Sequence, residues 1–434
     1  MEEILSLANK VAQQAEVFQI ISRKTPLKFE ANHLKQIQTK ESTSTALRII
    51  KDGRIGFAQV AGTIKPTDLV DMAVETSILG AEAKFSFPSS QIYPEVQIFD
   101  SEVEETTVDQ MVELGEQLID AVRQHTPDIQ CEASVSKGTA LVNVINSFGG
   151  EASYTKSFFS LSLEGLVIKE DDMLFVGDGQ SSCHPILGFE ELADEIILQL
   201  ELAKNKAVVT SGKMPVILRP NGVASALIAP LMAAFNGKVV FMGASPLKDK
   251  LGNKIFDEKL SLWDDATIPY QVASYPCDDE GIPSQRTSLI ENGVVSQFLY
   301  DLQTAGLANT RSTGNGNRGG GLPSPSITSL VIDKGEAQYR DMVKDIKHGL
   351  VLEQLMGASQ GNVLNGDFSG NVLLGFKIEN GEITGRVKDT MVSGNVYQVL
   401  KQIEAIGCDT RWVGGVLYTP SFYCSDLSVA SKEG

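Results

Sequence analysis

This sequence of 434 residues has few cysteines and no CxxC motif. Its hydrophobic content of 42% and charged content of 21% are those of an ordinary globular protein, so a disordered or disulfide-stapled chain is excluded. Scattered cysteines without a CxxC pair also exclude zinc-finger spacing and are typical of a reducing compartment. The five cysteines are Cys131, Cys183, Cys277, Cys408 and Cys424.

Basic clusters and long apolar runs are also lacking. The chain has 37 Lys and Arg against 55 Asp and Glu, a formal charge of −18, and no basic run is longer than two. This balance argues against nucleic acid and anionic membranes as partners. The apolar run Val223–Phe235 is too short to span a bilayer, and the acidic start MEEILSLANK is unlike a signal peptide. We therefore expect a cytoplasmic protein.

No complete catalytic motif is present. GxSxG and the P-loop lysine motif are absent, and Gly314–Gly319 matches GxGxxG but precedes two prolines instead of a helix. The four histidines lack metal-motif spacing. For Asp264-Asp265 and Asp278-Asp279-Glu280 we predict solvated turns. These clusters and Cys183-His184 stay open as alternative cation ligands completed from distant segments.

Hydrophobic periodicity and turn signals predict an α+β fold. Asp52-Gly53, Asn292-Gly293 and Asn380-Gly381 predict β-hairpin turns, since these residues tolerate positive φ. Helices are predicted over 3–16, 66–82, 105–124, 190–202, 222–235, 342–347 and 395–405. Strands are predicted over 18–22, 45–50, 54–60, 140–145, 158–168 and 215–218.

A polar segment at 204–213 predicts a boundary between two domains. Residues 1–205 are expected to form an N-terminal α/β domain with a twisted sheet and flanking helices. Residues 206–434 are expected to form a β-rich C-terminal domain, because this part is rich in Gly, Asn and short strands.

Several segments resemble the TldD/PmbA family, whose members were first described as modulators of DNA gyrase. Cys277–Gly281 followed by Thr287 and Leu289–Gly293 is similar to the family's DDEG and LIENG segments. Gly366–Gly370, Glu379–Ile383, Ser393–Asn395 and Tyr418–Ser421 follow in the family's order, and Ala46–Phe57 resembles its N-terminal hairpin. Each match is weak by itself, but together they span nearly the whole chain.

The family that the chain resembles is divided into two branches. The TldD branch carries HExxxH and a C-terminal Cys that resemble zinc ligands, whereas the PmbA/TldE branch lacks them and pairs with a TldD-type subunit. An ungapped match of Ile217–Gly237 places Ile228, Ala229 and Ala233 where His, Glu and His would stand, and Arg411–Leu417 holds no Cys. The resemblance thus implies a non-catalytic subunit without a cofactor, with zinc in its partner.

Three hypotheses follow for the function. The first is the non-catalytic subunit of a zinc metallopeptidase that degrades or trims extended peptides. The others are a homodimeric binding module for peptides or proteins and an autonomous hydrolase with an atypical metal site. For a shared peptide groove we predict Asn317, Arg318, Asp367 and Ser369 as lining residues, although loop capping is the alternative role for each.

Overall fold

The computed structural model describes residues 1–170 and 172–432. A seven-stranded antiparallel sheet occupies the N-terminal part, in the order β4-β3-β1-β5-β6-β7, with β2 beside the end of β1. Its strands are β1 (Gln14–Glu30), β2 (His33–Ile37), β3 (Lys40–Lys51), β4 (Arg54–Ala61), β5 (Gln130–Asn146), β6 (Glu151–Lys169) and β7 (Asp172–Ser182).

In the part of the chain that the structure describes, five helices flank this sheet. They are α1 (Glu2–Ala8), α2 (Pro66–Ser77), α3 (Ser101–Glu105), α4 (Val108–His125) and α5 (Glu190–Leu202). The helix predicted at 105–124 is found at Val108–His125. It begins there because Thr107 caps it: Thr107 Oγ1 accepts from Gln110 N at 3.2 Å, and Thr107 N–H donates to Gln110 Oε1 at 2.7 Å. The prediction for 190–202 is confirmed.

The predicted helix over residues 3–16 is wrong beyond Ala8. From Gln14 onward the chain is strand β1, which is paired on both sides, with β3 and with β5. Ala15 and Val17 are buried among the residues of α1 and α2, and Glu16 and Phe18 are buried on the opposite face of the sheet. The helix prediction rests on the spacing of residues 4–11. Burial of residues 15–18 on both faces hides the period of two, so the sequence shows no sign that the helix ends before the strand.

The C-terminal part is rich in strands. Its strands are β8 (Lys206–Ala207), β9 (Gly212–Leu218), β10 (Leu262–Asp265), β11 (Arg286–Glu291), β12 (Val294–Val295), β13 (Gly316–Asn317), β14 (Ser324–Pro325), β15 (Leu330–Ile332), β16 (His348–Met356), β17 (Asp367–Glu379), β18 (Glu382–Val387), β19 (Thr390–Asn395), β20 (Ile403–Ile406), β21 (Arg411–Val413), β22 (Leu417–Thr419) and β23 (Phe422–Ser431). Its helices are α6 (Pro220–Phe235), α7 (Gly237–Phe241), α8 (Leu302–Leu307), α9 (Tyr339–Lys344) and α10 (Val396–Val399), with 3-10 turns at Ala358–Gln360 and Val363–Asn365.

Five of these strands close into a barrel. The order β16-β9-β23-β19-β17 returns to its start because β17 also pairs with β16. Helix α6 packs with the barrel in one large core: Val223, Leu227 and Phe235 are buried in the same cluster as Leu350 and Phe368. A separate sheet has the order β12-β11-β10-β15-β22-β21.

Two predicted helices of this part are corrected. The helix predicted at 342–347 lies earlier, at Tyr339–Lys344. The helix predicted at 395–405 is only one turn, α10, capped by Asn395; the chain then forms β20, because Ile403 pairs with Cys424. The three predicted hairpin turns are confirmed, each with two residues at positive φ.

The predicted α+β class, with an N-terminal sheet and flanking helices followed by a β-rich part, is confirmed. The first sheet uses strands from residues 14–182, whereas the other sheets use strands from Lys206 onward. Among the described residues, no helix has the length and apolar character needed to cross a bilayer.

Candidate functional site

Helix α6 presents one partly exposed face of small side chains. Asn221, Ser225, Ala229 and Ala233 recur at intervals of four and therefore lie along one side of the helix. Ala229 and Ala233 line a shallow pocket of about 320 Å³. Its other lining residues are Met232, Asn236, Val239, Leu299, Pro325, Ser326 and Ile327. The pocket is thus mostly apolar.

This face does not fit a zinc ion. Ala229 and Ala233 offer only methyl groups, and Ile228 is 8% exposed and belongs to the hydrophobic core. Zinc in proteins takes its ligands from Cys, His, Asp and Glu. Within residues 1–170 and 172–432, no group of three or more such side chains is placed to hold a metal ion.

The alternative cation ligands have other contacts. His184 Nδ1 lies 2.5 Å from Asp100 Oδ2, and its ring stacks on Tyr270. Cys183 is buried, and its thiol donates to the backbone oxygen of Gln271. Each therefore has a structural role in the contact between the sheet and the C-terminal part.

A larger groove lies between the two parts of the chain, at the other end of α6. It has a volume of about 690 Å³. One wall is formed by strands β6 and β7 of the first sheet, including Ser160, Ser162 and Gly179, and the other wall includes Asn221 and Ala224 of α6. The groove and the apolar pocket thus share the exposed side of one helix.

Arg219 fixes the start of α6. Its guanidinium contacts Glu353 at 3.1 Å, Asp409 at 3.1 Å and Glu195 at 3.5 Å, so strand β16, the C-terminal segment and α5 all hold it. Next to it, Gly222 allows α6 to approach strand β16, since a Cβ there would lie 2.4 Å from the backbone oxygen of Leu352. Charge pairing and close packing together position the small-residue face.

A second cluster of charges, which is buried, joins the first sheet to the C-terminal part. Arg48 Nη1 donates to Glu280 Oε1 at 2.5 Å, and Arg48 Nη2 donates to Glu16 Oε2 at 3.1 Å. Arg318 binds the other oxygen of Glu16, and its backbone N–H donates to Asp279 at 2.8 Å. Since these residues come from β1, β3 and two distant loops, the cluster ties together segments far apart in sequence.

The prediction of solvated turns at the acidic clusters is wrong for most of their members. Asp264, Asp278 and Glu280 are buried, and Asp279 is half-buried. Asp278 accepts three backbone N–H bonds, and Asp264 accepts from Asn315 and Thr328. These acidic groups organise the interior and are not open to a solvent cation.

Burial changes the acidity of these groups. Desolvation raises the pKa of Glu280 to about 7, although the nearby Arg48 acts in the opposite direction. It likewise raises the pKa of Asp264 to about 6 and the pKa of Asp278 well above its ordinary range. Carboxyl groups outnumber guanidinium groups around Arg48 and Arg318. Desolvation of Asp278 and Glu280 favours the protonated form of these two side chains.

The structure separates the four residues predicted for the peptide groove into two pairs. Asn317 is exposed beside buried Arg318 on the short hairpin β13–β14. Asp367 and Ser369 are exposed on β17, opposite Asn395 and Ser393. Among the described residues, no hydrogen bond or ion pair joins the two pairs. Their role in peptide binding stays a prediction.

Sequence reasoning gave no role to Arg48, Glu16 and Arg219, which organise the two clusters of charges. One signal was available: Arg48 interrupts the run Ala46–Ile50, whose other members are all apolar. A charge inside a strand that is buried on both faces needs a buried partner. That partner is Glu280, which lies 232 residues away in the sequence. The local sequence around Arg48 therefore cannot identify it.

Comparison with known proteins identifies a family. The PmbA/TldA metallopeptidase C-terminal domain matches residues 211–431, and the PmbA/TldA metallopeptidase domain 1 matches residues 15–78. The first match alone covers about half of the chain. It includes α6, the closed barrel and the acidic segment around Asp278.

Relatives of known sequence or structure cover nearly all of the chain. An uncharacterised protein of Methanocaldococcus jannaschii is 27% identical over 97% of each chain. A metalloprotease PmbA homologue of Haemophilus influenzae is 26% identical over 93% of this chain and 90% of its own. The crystal structure of TldE from Thermococcus kodakarensis superposes with a TM-score of 0.89 at 26% identity, over 99% of this chain and 100% of that one. The chain therefore belongs to the PmbA/TldD metallopeptidase family.

Proposed function

We propose that this chain is a non-catalytic, PmbA/TldE-like subunit that pairs with a TldD-type zinc metallopeptidase in the cytoplasm. Together the two subunits would degrade or trim extended peptides. The observation that carries the proposal is the face of α6, where Ala229 and Ala233 stand at the positions that the resemblance assigns to a general base and a zinc ligand. Methyl groups can neither bind zinc nor move a proton.

The form of the groove supports a role in holding peptides. Its lining includes three serines and two glycines of β6 and β7 on one side and Asn221, Ala224 and Ser225 of α6 on the other. These small polar residues offer hydrogen bonds to a peptide backbone and leave room for its side chains. A partner subunit would then supply the zinc and the base that α6 lacks.

Two further observations agree with this assignment. The similarity to TldE of Thermococcus kodakarensis extends over the full chain. The five cysteines are free thiols, four of them buried, which suits a reducing compartment such as the cytoplasm.

Filling the groove tests the proposal. We expect Ala224→Trp to lower the casein cleavage by a complex with an HExxxH-bearing paralogue at least about tenfold, by excluding the peptide. The complex itself should still form on gel filtration. Ala244→Trp, the same change at an exposed position away from the groove, should leave cleavage unchanged.

A second variant distinguishes the loss of peptide binding from a folding defect. Ser162→Trp narrows the same groove from the opposite wall, so both variants should reduce cleavage while their thermal midpoints stay near that of the unmodified chain. Full cleavage by both folded variants would contradict a peptide-holding role for the groove.

A further inference from the structure

The first sheet has an open edge opposite β7. Strand β4 covers β3 only from Ser44 onward, and β2 pairs with β1 alone. Residues 33–42 therefore have a strand neighbour on one side only, and all ten are exposed. A strand edge of this length, about 33 Å, presents a row of backbone N–H and C=O groups to solvent.

The two edges of this sheet differ in how their backbone groups are used. On β7, the side chain of Gln199 donates to the backbone oxygen of Gly177 and accepts from its N–H. Arg386 donates to the backbone oxygen of Met173 on the same strand. Within the described part of the chain, no hydrogen bond from outside β1 reaches the backbone of residues 33–42. One edge is thus closed by side chains and the other is open.

The charge around the open edge is opposite to that of the protein. Residues 23–43 carry five basic and two acidic side chains, a net charge of +3 in a chain of −18. Arg23 pairs with Glu41 and Lys35 with Glu30, at the surface. Lys28 and Lys40 are exposed and make no ion pair among the described residues. Two copies of this edge would therefore repel each other.

Apolar side chains lie among these charges. Leu34 and Ile37 of β2 are 38% and 45% exposed, although a strand of a monomer usually buries at least one face. Lysines at an edge prevent pairing with an identical edge, but they attract a strand that carries carboxylates. Open backbone groups and surplus positive charge are two independent features that fit the same ligand.

We propose that the edge formed by residues 33–42, named here the β2 edge, binds an acidic extended segment of another polypeptide as an added strand. Its carboxylates face Lys28, Lys35 and Lys40, and its backbone bonds to the outward N–H and C=O groups. This site is separate from the groove beside α6 and does not depend on the chain's role in proteolysis. It recognises its ligand by charge and by extended form.

The test uses a ten-residue peptide of alternating glutamate and valine as the probe. Hydrogen–deuterium exchange of the full chain should show slower exchange of amides within residues 33–42 when this peptide is added. The matching lysine–valine peptide should give no such change. The double variant Lys28→Glu with Lys40→Glu should weaken binding at least about tenfold, because two attractive contacts become repulsive.

The matched control is Lys248→Glu with Lys250→Glu, two exposed lysines outside the sheet. It makes the same change in net charge and should leave binding intact. Equal loss in both double variants, or no slowing of exchange at residues 33–42, would overturn the proposal. Slowing that appears without peptide and grows with protein concentration would overturn it too, because the occupant would then be a second copy. Slowing confined to residues 160–181 would place the peptide in the groove beside α6.

Discussion

Replacing Arg48 with methionine is expected to lower the free energy of unfolding by about 3–5 kcal/mol. Arg48 is almost fully buried, and its guanidinium contacts Glu16 and Glu280, whose side chains are also buried. Methionine fills similar space but leaves Glu280 without its cation and Glu16 with Arg318 alone. Urea denaturation, followed by tryptophan fluorescence, measures the loss.

The control for this prediction is an arginine on the same sheet. Arg23 also contacts a glutamate, Glu41, but both side chains are more than two-thirds exposed. Arg23→Met should therefore cost less than about 1 kcal/mol. A loss for Arg48→Met no larger than this control would show that the cluster does not stabilise the contact between the sheet and the C-terminal part.

Phe235→Ala should cost about 3–5 kcal/mol of stability, because it removes a large buried side chain. Phe235 ends α6, is 1% exposed and packs near Phe298, with ring centroids 6.1 Å apart. Met232, one turn earlier, is 38% exposed and lines the apolar pocket. Met232→Ala should change stability by only about 0.5 kcal/mol.

This pair of variants separates two roles of one helix. Thermal and urea denaturation of both proteins give the comparison directly. If Met232→Ala destabilised the chain as much as Phe235→Ala, the face that carries Ala229 and Ala233 would belong to the packed core, and its assignment as a binding surface would be wrong.

Local features of the fold could be predicted from the sequence. The turns at Asp52-Gly53, Asn292-Gly293 and Asn380-Gly381 depend on residues that accept positive φ, and α5 depends on its own periodicity. Of strand β1 only residues 18–22 could be recognised from the sequence. Its first residues could not, because helices pack on one of their faces and the C-terminal part packs on the other. Its burial depends on partners far away in sequence, which a local period cannot show.

The site was only partly visible for the same reason. Ala229 and Ala233 could be placed through the resemblance to a family, and the structure shows that they line a surface pocket. Asp278 and Glu280 look like turn residues locally, yet they are buried through contacts with Gly316 and Arg48. Whether a charged residue is solvated depends on the tertiary structure.

The most direct measurement is the zinc content of the purified chain, made together with a casein-cleavage assay on the same sample. We expect no zinc above the buffer blank and no cleavage from the chain alone, and cleavage once a paralogue bearing HExxxH is added. One zinc per chain with cleavage by the isolated protein would contradict the assignment as a non-catalytic subunit.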